Sequence, residues 1–267
     1  MSFKEAGPRD AGGGADRGAG GAGGGGRVRP PRRTFVVSEV SELTPQLIRV
    51  VAEGDLQNWQ TGAPGGHFKL FAPQIGEDPA MRTYTPRHVD AERGRLTVDF
   101  ALHADGPATA WVRRAAPGEE IQISGMARAG YAPSESSSWT VFIADQSALP
   151  AVAAIAEALP SGYRAKALIE IPTTAEELEL ASDAELEISW IVESGAPCEQ
   201  LVAAALALAL PEGEGEIWVG CEADSMREIR RHLLHELGLS PRSLHTRAYW
   251  KHDVANHPDH DTGEEIS

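Results

Sequence analysis

The chain has 267 residues, 42% of them hydrophobic, and a formal net charge of -15. Residues 1–33 carry seven basic and three acidic side chains, which leaves -19 on the rest. A body that acidic argues against general nucleic-acid binding, which depends on neutralising phosphates, and no apolar run reaches the roughly eighteen residues of a membrane span.

Residues 1–33 are nearly all Gly, Ala, Arg, Asp and Pro. Such a segment buries too little apolar area to offset its chain entropy, and it reads as a disordered tail. From Thr34 the pattern changes. TFVVSEVSEL, QLIRVVAE, HFKLFAP, RTYTP, RLTVDFAL and EEIQISG are short β-branched runs separated by Pro/Gly-bearing breaks. That spacing predicts an antiparallel barrel or sandwich over 34–131, interrupted by one helix at Pro107 to Ala116.

YAPSESSS marks a boundary. Beyond it, strands and helices alternate over 139–253: WTVFIA, then AVAAIAEAL as a helix, then YRAKALIEI. A charged helical stretch around Ala175 to Leu180, the strand LEISWIV and the helix CEQLVAAALALAL follow. GEIWVGC, the helix DSMREIRRHLLHEL and LHTRAYW complete the series. Alternation of this kind implies a parallel sheet covered on both faces. Residues 254–267 read as an acidic tail.

The stretch MRTYTPR, Met81 to Arg87, is unusual. Thr83, Tyr84 and Thr85 favour extended backbone, and Pro86 ends the strand or puts it at an edge. Two arginines bracket three hydroxyls, an arrangement suited either to solvent or to a flat polyanion. ALHADGPATAWVRR places a Gly-Pro turn between a strand and a helix. IADQSALPAVAAI joins the first parallel strand to its helix without a GxGxxG fingerprint, so Asp145, Gln146 and Ser147 serve as caps or as a binding loop. In WVGCEADSMREIRRHL, Arg227, Arg230 and Arg231 have helical spacing. His252, His257 and His260 lack a regular ligand spacing, and no metal site is expected. Cys198 and Cys221 are too few for an iron–sulfur cluster, and no disulfide is expected between them. The start lacks an apolar export signal, so a cytoplasmic location is expected.

Taken in order, GGHFKLFAP, MRTYTPR, DFALHADGPATAWVRRAAPGEEIQISG, FIADQSALPAVAAIAEALP, WVGCEADSMREIRRHL and AYWKHD resemble the siderophore-interacting protein family. These are FAD-dependent ferric-siderophore reductases related to ferredoxin–NADP reductases. The resemblance spans Thr34 to Asp253. It implies an N-terminal FAD-binding β-barrel and a C-terminal nucleotide-binding α/β domain, a ferredoxin reductase-like fold. It also implies that Arg82 pairs with the flavin pyrophosphate, that Tyr84 packs on the cofactor, and that Thr85 offers its hydroxyl near the reactive flavin nitrogen. His103, Ala104, Gly106, Pro107, Ala108 and Thr109 would wrap the phosphates, with Trp111 alongside and His67 near the flavin. NADPH or NADH would be the electron donor, received by Asp145, Gln146, Ser147, Glu222 and Ala223, with Arg227 and Arg230 toward its phosphates. The chain departs from the family at Gln146, usually Glu, at Ala248, usually Gly, and in GMARAG.

The resemblance implies a ferric siderophore as substrate; charge and the lack of a long apolar run argue against nucleic acid or a membrane as partner, and the oligomeric state stays open. An anionic siderophore calls for a local basic pocket, with Arg128, Arg247 and Lys251 as candidates and Lys69 behind them. Glu170, at a strand end, favours an unphosphorylated ribose, whereas the arginine cluster favours a 2′-phosphate. Two other readings stay open: a flavin or ferredoxin-type reductase with another acceptor, and a siderophore-binding protein without redox activity.

Overall fold

The structure is a computed structural model and describes residues 31–59, 62–103, 106–128, 130–255, 257 and 261–264, with only the backbone of residues 126–128. Two sheets dominate it. The first has seven antiparallel strands in the order β4-β3-β7-β1-β2-β6-β5. They are β1 (Arg32–Thr44), β2 (Leu47–Gly54), β3 (His67–Ala72), β4 (Ala80–Tyr84), β5 (Pro86–Asp90), β6 (Arg95–Ala101) and β7 (Glu120–Arg128). The pleat alternation is plain in β1, where Phe35 and Val37 are buried and Thr34 and Val36 are exposed.

Its two edge strands, β4 and β5, are consecutive in the chain and meet at Thr85. The sheet therefore curls on itself into a barrel whose seam lies at Thr85. Sequence reasoning had Pro86 end the strand or put it at an edge: β4 ends at Tyr84, and Pro86 opens the edge strand β5, which was not expected. Pro86 pairs with Val98 of β6, on the far side of the seam from β4. A proline has no N–H to give to a ladder, which suits an edge position. The helix α1 (Pro107–Val112) starts where expected and ends four residues short of Ala116.

The second sheet is parallel, in the order β10-β9-β8-β11-β12. Its strands are β8 (Trp139–Asp145), β9 (Arg164–Ile171), β10 (Glu185–Val192), β11 (Glu216–Glu222) and β12 (Leu244–Trp250). β8 and β11 are buried along their whole length, as strands covered on both faces must be. The helices are α2 (Leu149–Glu157), α3 (Glu199–Leu206) and α4 (Ala223–His235). α4 turns Met226, Ile229 and Leu233 to the core and is capped by Glu222, whose carboxylate accepts from the Asp224 and Ser225 N–H groups (2.7 and 3.0 Å). The helix expected around Ala175 to Leu180 is a single 3-10 turn, Thr174–Glu176, followed by irregular chain.

The two sheets share an apolar contact in which Leu47 and Ala101 of the barrel pack with Phe142, Leu149 and Val152. Polar bonds reinforce it. Arg87 of β5 pairs with Glu157 of α2. Glu176, only 1% exposed, accepts from the Thr44 hydroxyl, from the Gln46 N–H (3.1 Å) and from Gln146 Nε2 (3.0 Å). Residues 1–30, the greater part of the segment read as a tail, lie outside the described residues. Arg32 and Arg33 already belong to β1, and Arg33 donates to the carbonyls of Asp55 and Gln57 (2.8 and 2.7 Å).

Candidate active site

A cleft of about 310 Å³ opens between the barrel seam and the C-terminal ends of β8 and β12. The barrel contributes Arg82, Tyr84, Thr85 and His67, together with His103, Gly106 and Pro107 from the turn into α1. The parallel sheet contributes Ser147 and Pro150 after β8 and Arg247 to Lys251 at the end of β12. Ligand sites are usual where two domains meet and where parallel strands end.

Each barrel residue is placed by a local cause. Arg82 pairs with Leu70 across the β3–β4 ladder. Among the described residues its guanidinium donates only to the adjacent Met81 carbonyl (2.8 Å), so most of its five donors remain available to a ligand. Tyr84 packs on Phe100 with ring centroids 4.4 Å apart, and burial pushes its phenol well above the ordinary range. Gly106 precedes α1, and a Cβ there would meet open space. On the facing wall, burial pushes the Tyr249 phenol up to about 12, while the Arg247 charge and the Thr85 hydroxyl pull it the other way. Gly220 makes room for that ring, since a Cβ there would stand 2.9 Å from Tyr249.

The expected site residues divide into several groups. His67, Arg82, Tyr84, Thr85, His103, Gly106, Pro107, Ser147, Arg247 and Lys251 share the cleft. Ala104 lies outside the described residues, as does the Arg128 side chain, although the Arg128 backbone pairs with His67 at the cleft. Ala108, Thr109 and Trp111 are buried behind the cleft wall, and Trp111 is a core residue whose Nε1 donates to Glu119 (2.9 Å). Lys69 does not itself line the cleft but donates to the hydroxyl of Thr83, which does (2.7 Å).

Asp145, Gln146, Glu222 and Ala223 are buried and do not line the cleft. Glu170 is buried too. Its two carboxylate oxygens accept from the Cys198 and Leu201 N–H groups (2.7 and 2.8 Å), so it caps α3 rather than facing a ribose. Burial raises its pKa against those two bonds.

Arg227 and Arg230 face the chain's own C-terminal segment. Arg227 pairs with Asp261, and Arg230 stands 3.7 Å from Glu264. The described part of 254–267 thus packs back on the fold, and the Asp261 carbonyl accepts from the Ala248 N–H (2.9 Å). Val254, Ala255 and His257 of this segment line the cleft. Sequence reasoning missed them, together with Asp99, Tyr249 and Trp250. The aromatic pair in AYWKHD was the available signal, placed at the end of a parallel strand where ligands bind.

The family profile described as siderophore-interacting protein matches residues 137–253, and the profile described as siderophore-interacting FAD-binding domain matches residues 72–129. A siderophore utilization protein from T. fusca is 31% identical and superposes with a TM-score of 0.78 over 87% of this chain and 97% of that one. The chain belongs to the siderophore-interacting protein family. Other relatives include the ferric vibriobactin reductase of Vibrio cholerae, 26% identical over 84% of this chain and 90% of that protein. The NADPH-dependent ferric-chelate reductase of Escherichia coli is likewise 26% identical, over 82% of this chain and 92% of that one.

This member of the siderophore-interacting family is an FAD-dependent oxidoreductase. The residues present fit FAD. A guanidinium with unused donors, a hydroxyl at the barrel seam and open space above Gly106 share one cleft. Among the described residues no helix is long and apolar enough to cross a membrane.

Proposed function

We propose that the chain is a cytoplasmic NAD(P)H-dependent ferric-siderophore reductase that releases iron by reducing Fe(III) to Fe(II). One observation carries the reading: Arg247 and Lys251 line a single cleft, beside Arg82 and Thr85, in a chain of net charge -15. An acidic body repels an anionic chelate, so cations concentrated in the cleft are what would draw one in. Fe(III) is held hard by oxygen ligands, and one added electron weakens that hold. FAD, when bound, supplies the conversion of a two-electron hydride donor into single electrons.

In this reading the chain's own residues bind and orient. Arg82 engages the flavin pyrophosphate through paired N–H donors. Tyr84, stiffened by Phe100, supports the flat ring. Thr85 offers a small hydroxyl that does not block hydride approach. Ser147 and the strand ends beside it border the nicotinamide side. Arg247 and Lys251 attract the ferric chelate, with Arg128 as a third cation. Lys251 is held in place by Asp224 (3.0 Å), and that bond keeps the Asp224 carboxyl below the usual range.

The relatives' names support the acceptor and the donor, a ferric siderophore in one and NADPH in the other. The test is anaerobic reduction of a ferric tris-catecholate by the FAD-loaded protein with NADPH and with NADH, scored with a ferrous-iron chelator. Ferrous complex formation that requires FAD and a nicotinamide is expected. A protein that binds FAD and oxidises NADPH with artificial acceptors but leaves the ferric catecholate intact would be a general flavin reductase instead.

A further inference from the structure

Asp145 ends β8 and is buried, yet it does not itself line the cleft. Its carboxylate nevertheless holds several donors at the cleft wall. Oδ1 accepts from the Ser147 N–H (2.9 Å) and from the Ser147 hydroxyl (2.5 Å). Oδ2 accepts from Trp250 Nε1 (2.8 Å), and the Cys198 thiol stands 3.6 Å away. Two of these partners, Ser147 and Trp250, do line the cleft.

The Trp250 bond spans the sheet. Trp250 ends β12, and β11 runs between β12 and β8. The β11–β12 register slips between Cys221 and Glu222, which brings Trp250 opposite Glu222. The indole then reaches past the end of β11 to the end of β8. On its other side the ring stands 5.8 Å from His103 of the barrel turn. Trp250 is thus the aromatic wall where barrel and sheet meet, and Asp145 is the group that fixes its N–H. A second carboxylate steadies the chain just beyond, where Glu222 Oε1 accepts from the His252 N–H (3.3 Å).

We propose that Asp145 is a positioning residue for the flavin reaction: it acts through Trp250, fixing the indole in the cleft wall against which the flat rings of cofactor and donor are ordered. Trp250 is half-buried at the cleft, so an indole N–H that loses this acceptor turns to another or to water. Without the carboxylate the ring keeps its His103 contact but loses the bond that fixes its N–H, and ordering of groups in the cleft weakens. The consequence for a reaction at the cleft rests on the reductase reading. The bond itself does not.

The experiment therefore has two arms. In the flavin-free protein, the indole N–H resonance that vanishes in Trp250→Phe identifies Trp250. It is expected to be protected from solvent exchange, and Asp145→Ala is expected to accelerate its exchange by about tenfold or more, as loss of one hydrogen bond does. Unchanged exchange in Asp145→Ala, with the remaining tryptophan resonances native, would overturn the proposal.

In the FAD-loaded protein, the visible circular dichroism of the flavin and the split of kcat from KM for NADPH are read for Asp145→Ala, Trp250→Phe and the double variant. Asp145→Ala is expected to alter the dichroism and lower kcat by about tenfold in the Trp250 background, and to add little in the Trp250→Phe background. Equal effects in both backgrounds would show that Asp145 does not act through Trp250 and would also overturn the proposal. A wild-type protein that takes up no FAD would defeat the reductase reading, while the exchange arm still decides whether Asp145 fixes the indole.

Discussion

Arg247, on the last strand of the parallel sheet, donates to Nδ1 of His67, the first residue of β3, at 2.5 Å. The bond fastens the two domains across the mouth of the cleft. The same arginine lines the cleft and lowers the Tyr249 pKa against burial, so one side chain serves both the domain contact and the local field.

Arg82→Ala is expected to weaken FAD binding by about 1.5–3 kcal/mol, the scale of a hydrogen bond to a charged group. Among the described residues the Arg82 side chain makes no bond to another element, so the fold should survive the change. Titration calorimetry with FAD checks this, and an unchanged affinity would remove Arg82 from the site.

Glu176 is the buried acceptor that ties the β1–β2 turn to the loop after β8. Glu176→Ala strands the Thr44 hydroxyl, the Gln46 N–H and the Gln146 amide. The expected loss is about 1–3 kcal/mol for a stranded buried donor. Denaturant melts of the variant measure it, and a loss under half a kilocalorie per mole, well below that range, would show that water replaces the carboxylate at no cost.

Much of this was legible in the sequence, and the exceptions have physical causes. The β-branched runs and the change of period near residue 139 reveal both sheets, because pleat and helix impose different spacings. β5 was hidden by its opening proline, a strand-breaking signal everywhere except at an edge. The stretch after Thr174 is rich in helix formers, yet the turn holding the buried interdomain acceptor Glu176 ends at Glu177, whose backbone is extended. Arg82, Thr85 and His103 were legible because their motifs are local. Trp250 and Asp145 were not recognised as partners, because they are 105 residues apart and meet only through the strand order.

The C-terminal contact gives a pH-dependent expectation. Burial pushes the Asp261 carboxyl up, but the Gly263 N–H, His257 and the Arg227 charge outweigh it, and its pKa falls below the usual value. A depressed carboxylate stabilises the fold above its unfolded pKa of about 3.9, and that contribution fades as the pH falls through the folded value. Asp261→Asn should therefore cost about 1 kcal/mol at neutral pH, and the gap to wild type should close below about pH 4. Melting curves of both proteins across pH test it. A gap that stays constant into acid would mean that Asp261 contributes packing rather than charge.

If the cleft cations recruit an anionic chelate, neutralising two of them should slow its reduction selectively. Arg247→Gln with Lys251→Gln is expected to reduce the rate with a ferric tris-catecholate by more than the rate with a neutral acceptor. The salt dependence of the catecholate rate should flatten as well, because screening acts on the attraction that was removed. Stopped-flow traces over a series of ionic strengths decide it. Equal salt slopes in variant and wild type would place the chelate elsewhere.

The central claim is tested most directly by one anaerobic titration of the purified, FAD-loaded protein. NADPH or NADH is added until the flavin absorbance bleaches, and a ferric tris-catecholate is then mixed in with a ferrous-iron chelator. Return of the oxidised flavin spectrum, with two ferrous complexes formed per flavin as two stored electrons require, is the expected result. A flavin that bleaches and stays bleached in the presence of the ferric chelate would contradict the account.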